Sequence, residues 1–173
     1  MKNRLLTYFA IFLLSITLYG CNKNVAASKQ IFYSTKEQAI VKSFEYEGFN
    51  TDNILSIEKH SGEEIIIFLN KGIGFAFIQK NPKGYSVTFD GIFRDYKLQD
   101  RTDGVESFTS ITTPTGAKIP VLVGKILNSS VREVKVTDNI SNSYEVVNIK
   151  KDQVFWYYFY KGKWENKKVE YIK

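Results

Sequence analysis

Side chains that commonly perform catalysis or bind metals are scarce in this chain. It contains one cysteine, Cys21, and one histidine, His60. A nucleophilic triad needs a Ser or Cys, a histidine and an orienting acid, and no Gly-x-Ser-x-Gly turn accompanies His60. Zinc sites use about three or four His, Cys or carboxylate ligands, and one histidine does not complete a recognisable set. The sequence therefore predicts no catalytic residue, no metal site and no cofactor.

Carboxylates are more numerous, and five of them cluster near the middle of the chain. They are Asp90, Asp95, Asp100, Asp103 and Glu106. Such oxygens bind Ca²⁺, but their spacing does not match an EF-hand loop, and arginines and a lysine interleave with them, which favours a solvated loop. Paired carboxylates also cleave glycosides, and the partners meet in space rather than in sequence. An envelope hydrolase using residues such as Asp90 and Asp95 therefore stays open as the alternative function.

The segment 154–160 is the richest in aromatic side chains and is the candidate for binding. Side chains alternate between the two faces of a strand, so Phe155, Tyr157 and Phe159 share one face. The opposite face carries Trp156, Tyr158 and Tyr160. If the first set fills the core, the second presents an indole N–H and two phenols, which suit sugar stacking, peptide docking or a membrane interface. The other interpretation is a strand buried on both faces.

One helix is expected to precede the strands. Ser34 and Glu37 have the Ser-x-x-Glu spacing of a capping box, in which each side chain satisfies an N–H of the first turn. Ala39, Ile40, Val41 and Phe44 then form an apolar stripe. Gly48 is suited to end the helix because glycine readily adopts the left-handed conformation found there.

Short strands separated by Gly, Pro and Asn turns are predicted after Gly48. Between residues 54 and 89, the turns at 61–62 and 81–84 indicate an antiparallel meander. The polar stretch 94–104 is the best internal loop or boundary. After it come six candidate strands, at 105–112, 119–126, 131–137, 144–149, 154–160 and 168–172. Six short strands in some 70 residues suggest a small immunoglobulin-like β-sandwich. The predicted fold is therefore mainly β, with one capped helix on a meander followed by that sandwich.

The N-terminal residues have the pattern of an export signal. Lys2 and Arg4 are followed by an uncharged apolar run over residues 5–18, and small Gly20 precedes Cys21. Leu18, Gly20 and Cys21 resemble the lipobox of bacterial lipoproteins. This resemblance implies cleavage after Gly20 and a diacylglyceryl thioether on Cys21. Two acyl chains anchor firmly, whereas one binds reversibly.

This organisation divides the chain into a signal peptide (1–20), a polar tether (21–30), a helix plus sheet (31–98) and a sandwich-like half (105–173). The two halves could also form one continuous domain over 31–173. Once Cys21 is lipidated no thiol remains for a disulfide, so the exported part relies on its hydrophobic core.

The second half also resembles uncharacterised small envelope lipoproteins of Bacillus-like bacteria. The resemblance covers about 50 residues, with a Gly-containing strand (123–126), a Val-x-x-Val-x-Val strand (131–136) and an aromatic strand around Phe155-Trp156. It implies no activity and no functional residue. The expected function is a non-catalytic binding or assembly role on the extracytoplasmic face of the cell membrane. Expected partners are the membrane, through the lipid on Cys21, and an envelope polymer or protein. Nucleic acid is not expected for an exported chain, despite its net charge of +6.

Overall fold

The computed structural model describes residues 30–93, 102–148 and 154–173. Phe32–Lys173 form one compact unit. Its described residues contain one α-helix and ten β-strands in antiparallel sheets, which confirms the mainly β prediction. The predicted signal peptide, Cys21 and all but the last residue of the predicted tether lie outside the described residues. Within the described residues, no helix has the length and apolar character needed to cross a membrane.

Helix α1 spans Lys36–Tyr46 and begins one residue later than the predicted capping box implies. Its N-cap is Thr35, whose extended backbone lets Oγ1 accept a hydrogen bond from the Gln38 N–H at 3.2 Å. The Ser34 hydroxyl instead donates to the Gln38 side-chain oxygen at 2.8 Å. The predicted Ser34–Glu37 box is therefore wrong, because Thr35 has the backbone conformation that an N-cap needs.

The C-terminal end and the buried face of α1 follow the sequence pattern closely. Glu47 is the C-cap, and Gly48 follows with a φ of +73°, as expected for a left-handed stop. Ala39, Ile40 and Phe44 are buried against the sheet below, whereas Val41 is 40% exposed. The apolar stripe is thus narrower than predicted by one residue.

Four consecutive strands form the meander. They are β1 (Ile54–His60), β2 (Glu63–Leu69), β3 (Ile73–Asn81) and β4 (Gly84–Phe93). Each strand pairs antiparallel with the next along the chain. β4 extends beyond the predicted end at Phe89 because Asp90 is accommodated as a bulge: Phe89 pairs with Ala76 and Gly91 pairs with Phe75. A bulge bends its strand and redirects the following side chains.

The second half contributes six strands in two further sheets. They are β5 (Gly104–Thr112), β6 (Lys118–Ile126), β7 (Glu133–Asp138), β8 (Ser143–Asn148), β9 (Phe155–Phe159) and β10 (Lys167–Ile172). The sheet orders are β5-β6-β9 and β10-β7-β8. In an immunoglobulin fold the corresponding orders are A-B-E and F-C-C′. The immunoglobulin-like sandwich stays a prediction, with which this sheet order agrees.

Three apolar clusters hold the layers together. The first lies between α1 and the meander and includes Phe44 and Phe68. The second joins the other face of the meander to the β5-β6-β9 sheet, for example through Phe75 and Val121. The third joins that sheet to β10-β7-β8 and contains Trp156. The β5-β6-β9 sheet is therefore the inner layer, with apolar residues packed on both of its faces.

Candidate functional site

The aromatic strand does not provide the open surface that the sequence suggested. Trp156 is 0% exposed and Tyr160 is 5% exposed, and both belong to the cluster shared with the β10-β7-β8 sheet. Tyr158 packs against the same cluster, and its burial raises the pKa of its phenol. The prediction that Trp156, Tyr158 and Tyr160 form an exposed binding face is wrong, because a third sheet covers them.

Trp156 has a packing role. Its indole lies over Gly124 of the paired strand β6, and its ring centroid lies 6.2 Å from that of Tyr171 at an interplanar angle of 72°. The indole Nε1 has no hydrogen-bond partner among the described residues. An unpaired buried donor is unfavourable, so apolar contact and aromatic packing must account for the position of this side chain.

The opposite face of β9 carries a polar contact to the edge of the meander. The Tyr157 hydroxyl donates to the Glu58 carboxylate and lies 2.6 Å from the Ser56 hydroxyl oxygen. Burial, and then the hydrogen bond to Glu58, raise the pKa of Tyr157. Further along, the His60 ring stacks on Phe159 with centroids 4.6 Å apart. Strand β1 is thereby fixed to strand β9.

Ser56 and His60 do not form a pair of nucleophile and general base. Ser56 and His60 lie on the same strand four residues apart, which at ~3.3 Å per residue separates them by about 13 Å. A general base must lie within about 3.2 Å of the proton it removes, or one water away. The contacts among Ser56, Glu58 and Tyr157 are therefore better explained as polar interactions at the edge of the core between the two sheets.

The described members of the carboxylate group noted in the sequence, Asp90, Asp103 and Glu106, make separate contacts. Asp103 binds the Lys173 ammonium and the Asn128 amide, each at 2.9 Å, and the hydrogen bond from Lys173 lowers the pKa of Asp103. The Glu106 carboxylate accepts from the Tyr171 hydroxyl at 2.8 Å. Asp95 and Asp100 lie outside the described residues. No three His, Cys, Asp or Glu side chains within the described ranges are grouped to hold a metal ion.

A cleft of about 250 Å³ opens where the end of α1 faces the β4 bulge. We call it the helix–bulge cleft. Four apolar residues, two acidic residues and one glycine line it. They are Phe49, Phe68, Phe89, Ile92, Glu47, Asp90 and Gly91. An apolar concave surface with a few polar groups is the usual form of a small-molecule site.

The bulge explains why these side chains converge. Before it, Phe89 packs in the cluster under α1; after it, Ile92 packs in the same cluster, so the alternation of faces has shifted by one residue. The Asp90 carboxylate accepts the backbone N–H of Thr112 at 3.0 Å, on a strand of the sheet that packs against the other face of the meander. Gly91 faces open space, since an added methyl group there would meet no atom within 4 Å.

The aromatic floor of the cleft is well packed. Phe68 contacts Phe49 with centroids 5.2 Å apart and Phe89 with centroids 5.7 Å apart, and Phe44 supports all three rings from the helix. Edge-to-face and offset pairs of this kind stabilise beyond simple area burial. The lining is therefore expected to keep its shape when the cleft is empty.

Sequence reasoning identified Asp90 as a carboxylate but missed the other residues that line the cleft. Two signals were present: a glycine inside a strand pattern, Gly91, which is typical of a bulge, and Glu47 at the end of a helix just before its stop. Neither signal shows that the two elements meet.

Comparison with known proteins adds no relationship. A scan against family models, a search of curated proteins and a search of solved structures each find no match for this chain.

Proposed function

We propose that this protein is a lipid-anchored binding protein of the extracytoplasmic membrane face, and that its helix–bulge cleft holds a small ligand without catalysis. The anchor is supported by the resemblance of residues 18–21 to a lipobox. The binding role is supported by one observation above all: an open cleft of about 250 Å³ with an aromatic floor, lined also by the acidic residues Glu47 and Asp90.

The two acidic residues of the cleft are compatible with the alternative function, a hydrolase, but their surroundings favour binding. A general acid for glycoside cleavage is a carboxyl group placed in apolar surroundings that keep it protonated. Glu47 and Asp90 are both exposed, and Asp90 accepts a backbone N–H. Neither residue has the apolar enclosure that such an acid needs, which favours recognition over proton transfer.

Cys21→Ser tests the anchor. The hydroxyl cannot form the thioether, so we expect an unprocessed precursor or released protein instead of a mature membrane-bound form. Membrane fractionation and the mass of the purified protein measure both effects. Equal membrane retention of wild type and variant, with no lipid mass on the wild-type protein, would contradict lipidation.

Ile92→Trp tests the cleft. Ile92 is half-buried and lines the cleft near the end of β4, so we expect the larger ring to occupy part of the cleft and to abolish ligand binding, while the far-ultraviolet circular dichroism stays that of the wild type. Butylammonium, butanol and butyrate are titrated into the isotope-labelled full protein, and amide NMR shifts near residue 91 report binding. If none of the three shifts these amides in the wild type, the cleft is not a binding site and the proposed function fails.

A further inference from the structure

We infer that the turn between β7 and β8 and the loop between β9 and β10 together dock on the surface of an anionic lipid bilayer. We call these two segments, residues 139–142 and 161–166, the loop tip. The inference rests on the membrane location in the proposed function and makes no use of the helix–bulge cleft. Three properties of the loop tip carry it: exposed apolar side chains, a fixed support for them and exposed lysines beside them.

Exposed apolar side chains are concentrated at the loop tip. Ile140 is 77% exposed and Trp164 is 53% exposed. The Asn139 N–H donates to the Asn166 carbonyl oxygen at 2.8 Å, so the turn and the loop that carry these two side chains meet at one end of the fold. Tyr144 follows the turn by two residues and is 60% exposed. Within the described ranges, five large apolar side chains are more than half exposed: Ile31, Tyr46, Ile140, Tyr144 and Trp164.

The fold holds the two apolar side chains of the loop tip in place. The Asp138 carboxylate accepts the backbone N–H of Ile140 at 2.9 Å and binds the Lys167 ammonium of the paired strand at 2.5 Å. The Trp164 ring lies with its centroid 5.6 Å from that of Phe108. Groups that are already ordered lose less conformational entropy on docking, so this support favours insertion of the tip.

Lysines flank the exposed indole of the loop tip. Lys161 and Lys163 are exposed, and neither has an ion-pair partner among the residues that the structure describes. Glu165 is the one acidic residue of the two segments, so lysines outnumber acids there by two to one. Indole rings suit the level of the lipid headgroups, and lysines near an anionic membrane surface are attracted to it. The loop tip therefore fits anionic lipid better than neutral lipid.

A bilayer fits the loop tip better than a protein partner does. A stable protein interface buries about 800 Å² on each side, and two side chains on two narrow segments supply only a fraction of that. A fluid lipid surface accepts projecting side chains without a matching pocket, and its affinity grows with the apolar area inserted and with the charge attraction.

The predicted anchor is compatible with this contact. Residues 22–31 separate Cys21 from the compact unit and span at most ~35 Å when fully extended. A domain of this size has a radius of gyration of ~14 Å. The available length of chain is thus similar to the diameter of the domain, and it does not prevent the loop tip from reaching the bilayer.

The test measures quenching of tryptophan fluorescence by brominated phospholipids, with the full protein on lipid vesicles. Bromine on the acyl chains quenches an indole that enters the bilayer. We expect quenching on vesicles that contain phosphatidylglycerol. Trp164→Phe should abolish it, because the remaining Trp156 is fully buried. On vesicles of phosphatidylcholine alone, the docking constant obtained from the quenched fraction should be about fivefold lower, as expected for a net charge of one at an anionic surface.

Charge variants test the lysines with effects of opposite sign. Lys161→Gln and Lys163→Gln should each weaken docking on the anionic vesicles about fivefold, and Glu165→Gln should strengthen it by a similar factor. A general loss of folding cannot produce the gain. Ile140→Ser should weaken docking about tenfold on both kinds of vesicle, because it removes apolar area from the inserted surface.

Two variants on helix α1 serve as controls. Lys42→Gln removes the same charge from an exposed site outside the loop tip, where Lys42 pairs with Glu45, and it should change docking by less than about twofold. Tyr46 is 79% exposed near the end of α1. Tyr46→Trp combined with Trp164→Phe therefore places an exposed indole away from the loop tip, and this indole should stay unquenched.

Four results would overturn the inference. Trp164 unquenched on both kinds of vesicle would show that the loop tip stays in water. Equal quenching of the indole from Tyr46→Trp would show adsorption without a preferred side. Equal docking on both lipids, unchanged by the lysine variants, would remove the preference for anionic lipid. Self-association in sedimentation that Ile140→Ser abolishes, without quenching, would assign the loop tip to a second copy of the chain.

Failure of the anchor is distinguished from failure of the loop tip. Lipidation is read from the mass of the wild-type protein and from fractionation of the Cys21→Ser variant, whereas docking is read from Trp164. Quenching that persists in a protein without a lipid mass would remove the anchor and leave the loop tip as a membrane contact.

Discussion

Trp156→Ala should lower the free energy of unfolding by about 3–5 kcal/mol, the usual range for truncating a buried large aromatic side chain. Trp156 is fully buried between two sheets, so its removal leaves a cavity that neighbouring strands cannot fill. This loss is a large part of the ~5–15 kcal/mol by which domains are stable. Urea unfolding followed by far-ultraviolet circular dichroism measures the change without using the replaced indole as the probe.

The second tryptophan of the chain supplies the control. Trp164 is 53% exposed and contacts Phe108 at a centroid distance of 5.6 Å, so Trp164→Ala should cost less than about 1 kcal/mol. Equal and small losses for both variants would show that Trp156 is not enclosed as described, and the exposed aromatic face would have to be reconsidered.

Gly124→Ala should destabilise by about 2–3 kcal/mol, near the upper end of the usual range for overpacking. The new methyl group would overlap the Trp156 indole. Strand β6 cannot move aside, because it is paired with β5 on one edge and with β9 on the other. The same urea titration measures this loss. Gly116→Ala is not a suitable control, because Gly116 has a φ of +86°, at which alanine is strained.

A double variant tests the cause of the Gly124→Ala effect. If overlap with the indole is responsible, adding Gly124→Ala to Trp156→Ala should cost little, and the two changes should show a coupling energy of at least about 1 kcal/mol. Strict additivity would mean that Gly124 is required for a reason other than its contact with Trp156.

Much of the fold could be predicted because it depends on local patterns. Alternating apolar residues and Gly, Pro and Asn turns predicted the strands to within a few residues, and the turns at 61–62 and 81–84 lie where expected. The main local error, a helix cap at Ser34 instead of Thr35, arose because two adjacent hydroxyl residues both suit the position. Only the backbone conformation distinguishes them.

The errors about function arose because the site depends on tertiary contacts, which the sequence pattern does not show. The alternating pattern of residues 155–160 correctly assigns the side chains to the two faces of the strand. It does not indicate whether a third sheet covers one of these faces. The cleft was missed for the same reason: Glu47 and Asp90 belong to elements that meet only after folding. The bulge at Asp90 also disrupts the period-2 pattern at the point where it matters for the site.

The inner position of the β5-β6-β9 sheet also constrains the order in which the chain can acquire its structure. The contact between Ser56 and Tyr157 joins residues 101 positions apart, and β9 helps to cover the inner face of the meander. Until β9 has been synthesised and has paired with β6, Phe75 and its apolar neighbours are only partly covered. Contacts of such long range form slowly and leave apolar surface exposed meanwhile. A chain interrupted before residue 155 would therefore be a substrate for chaperones or proteases rather than a smaller stable protein.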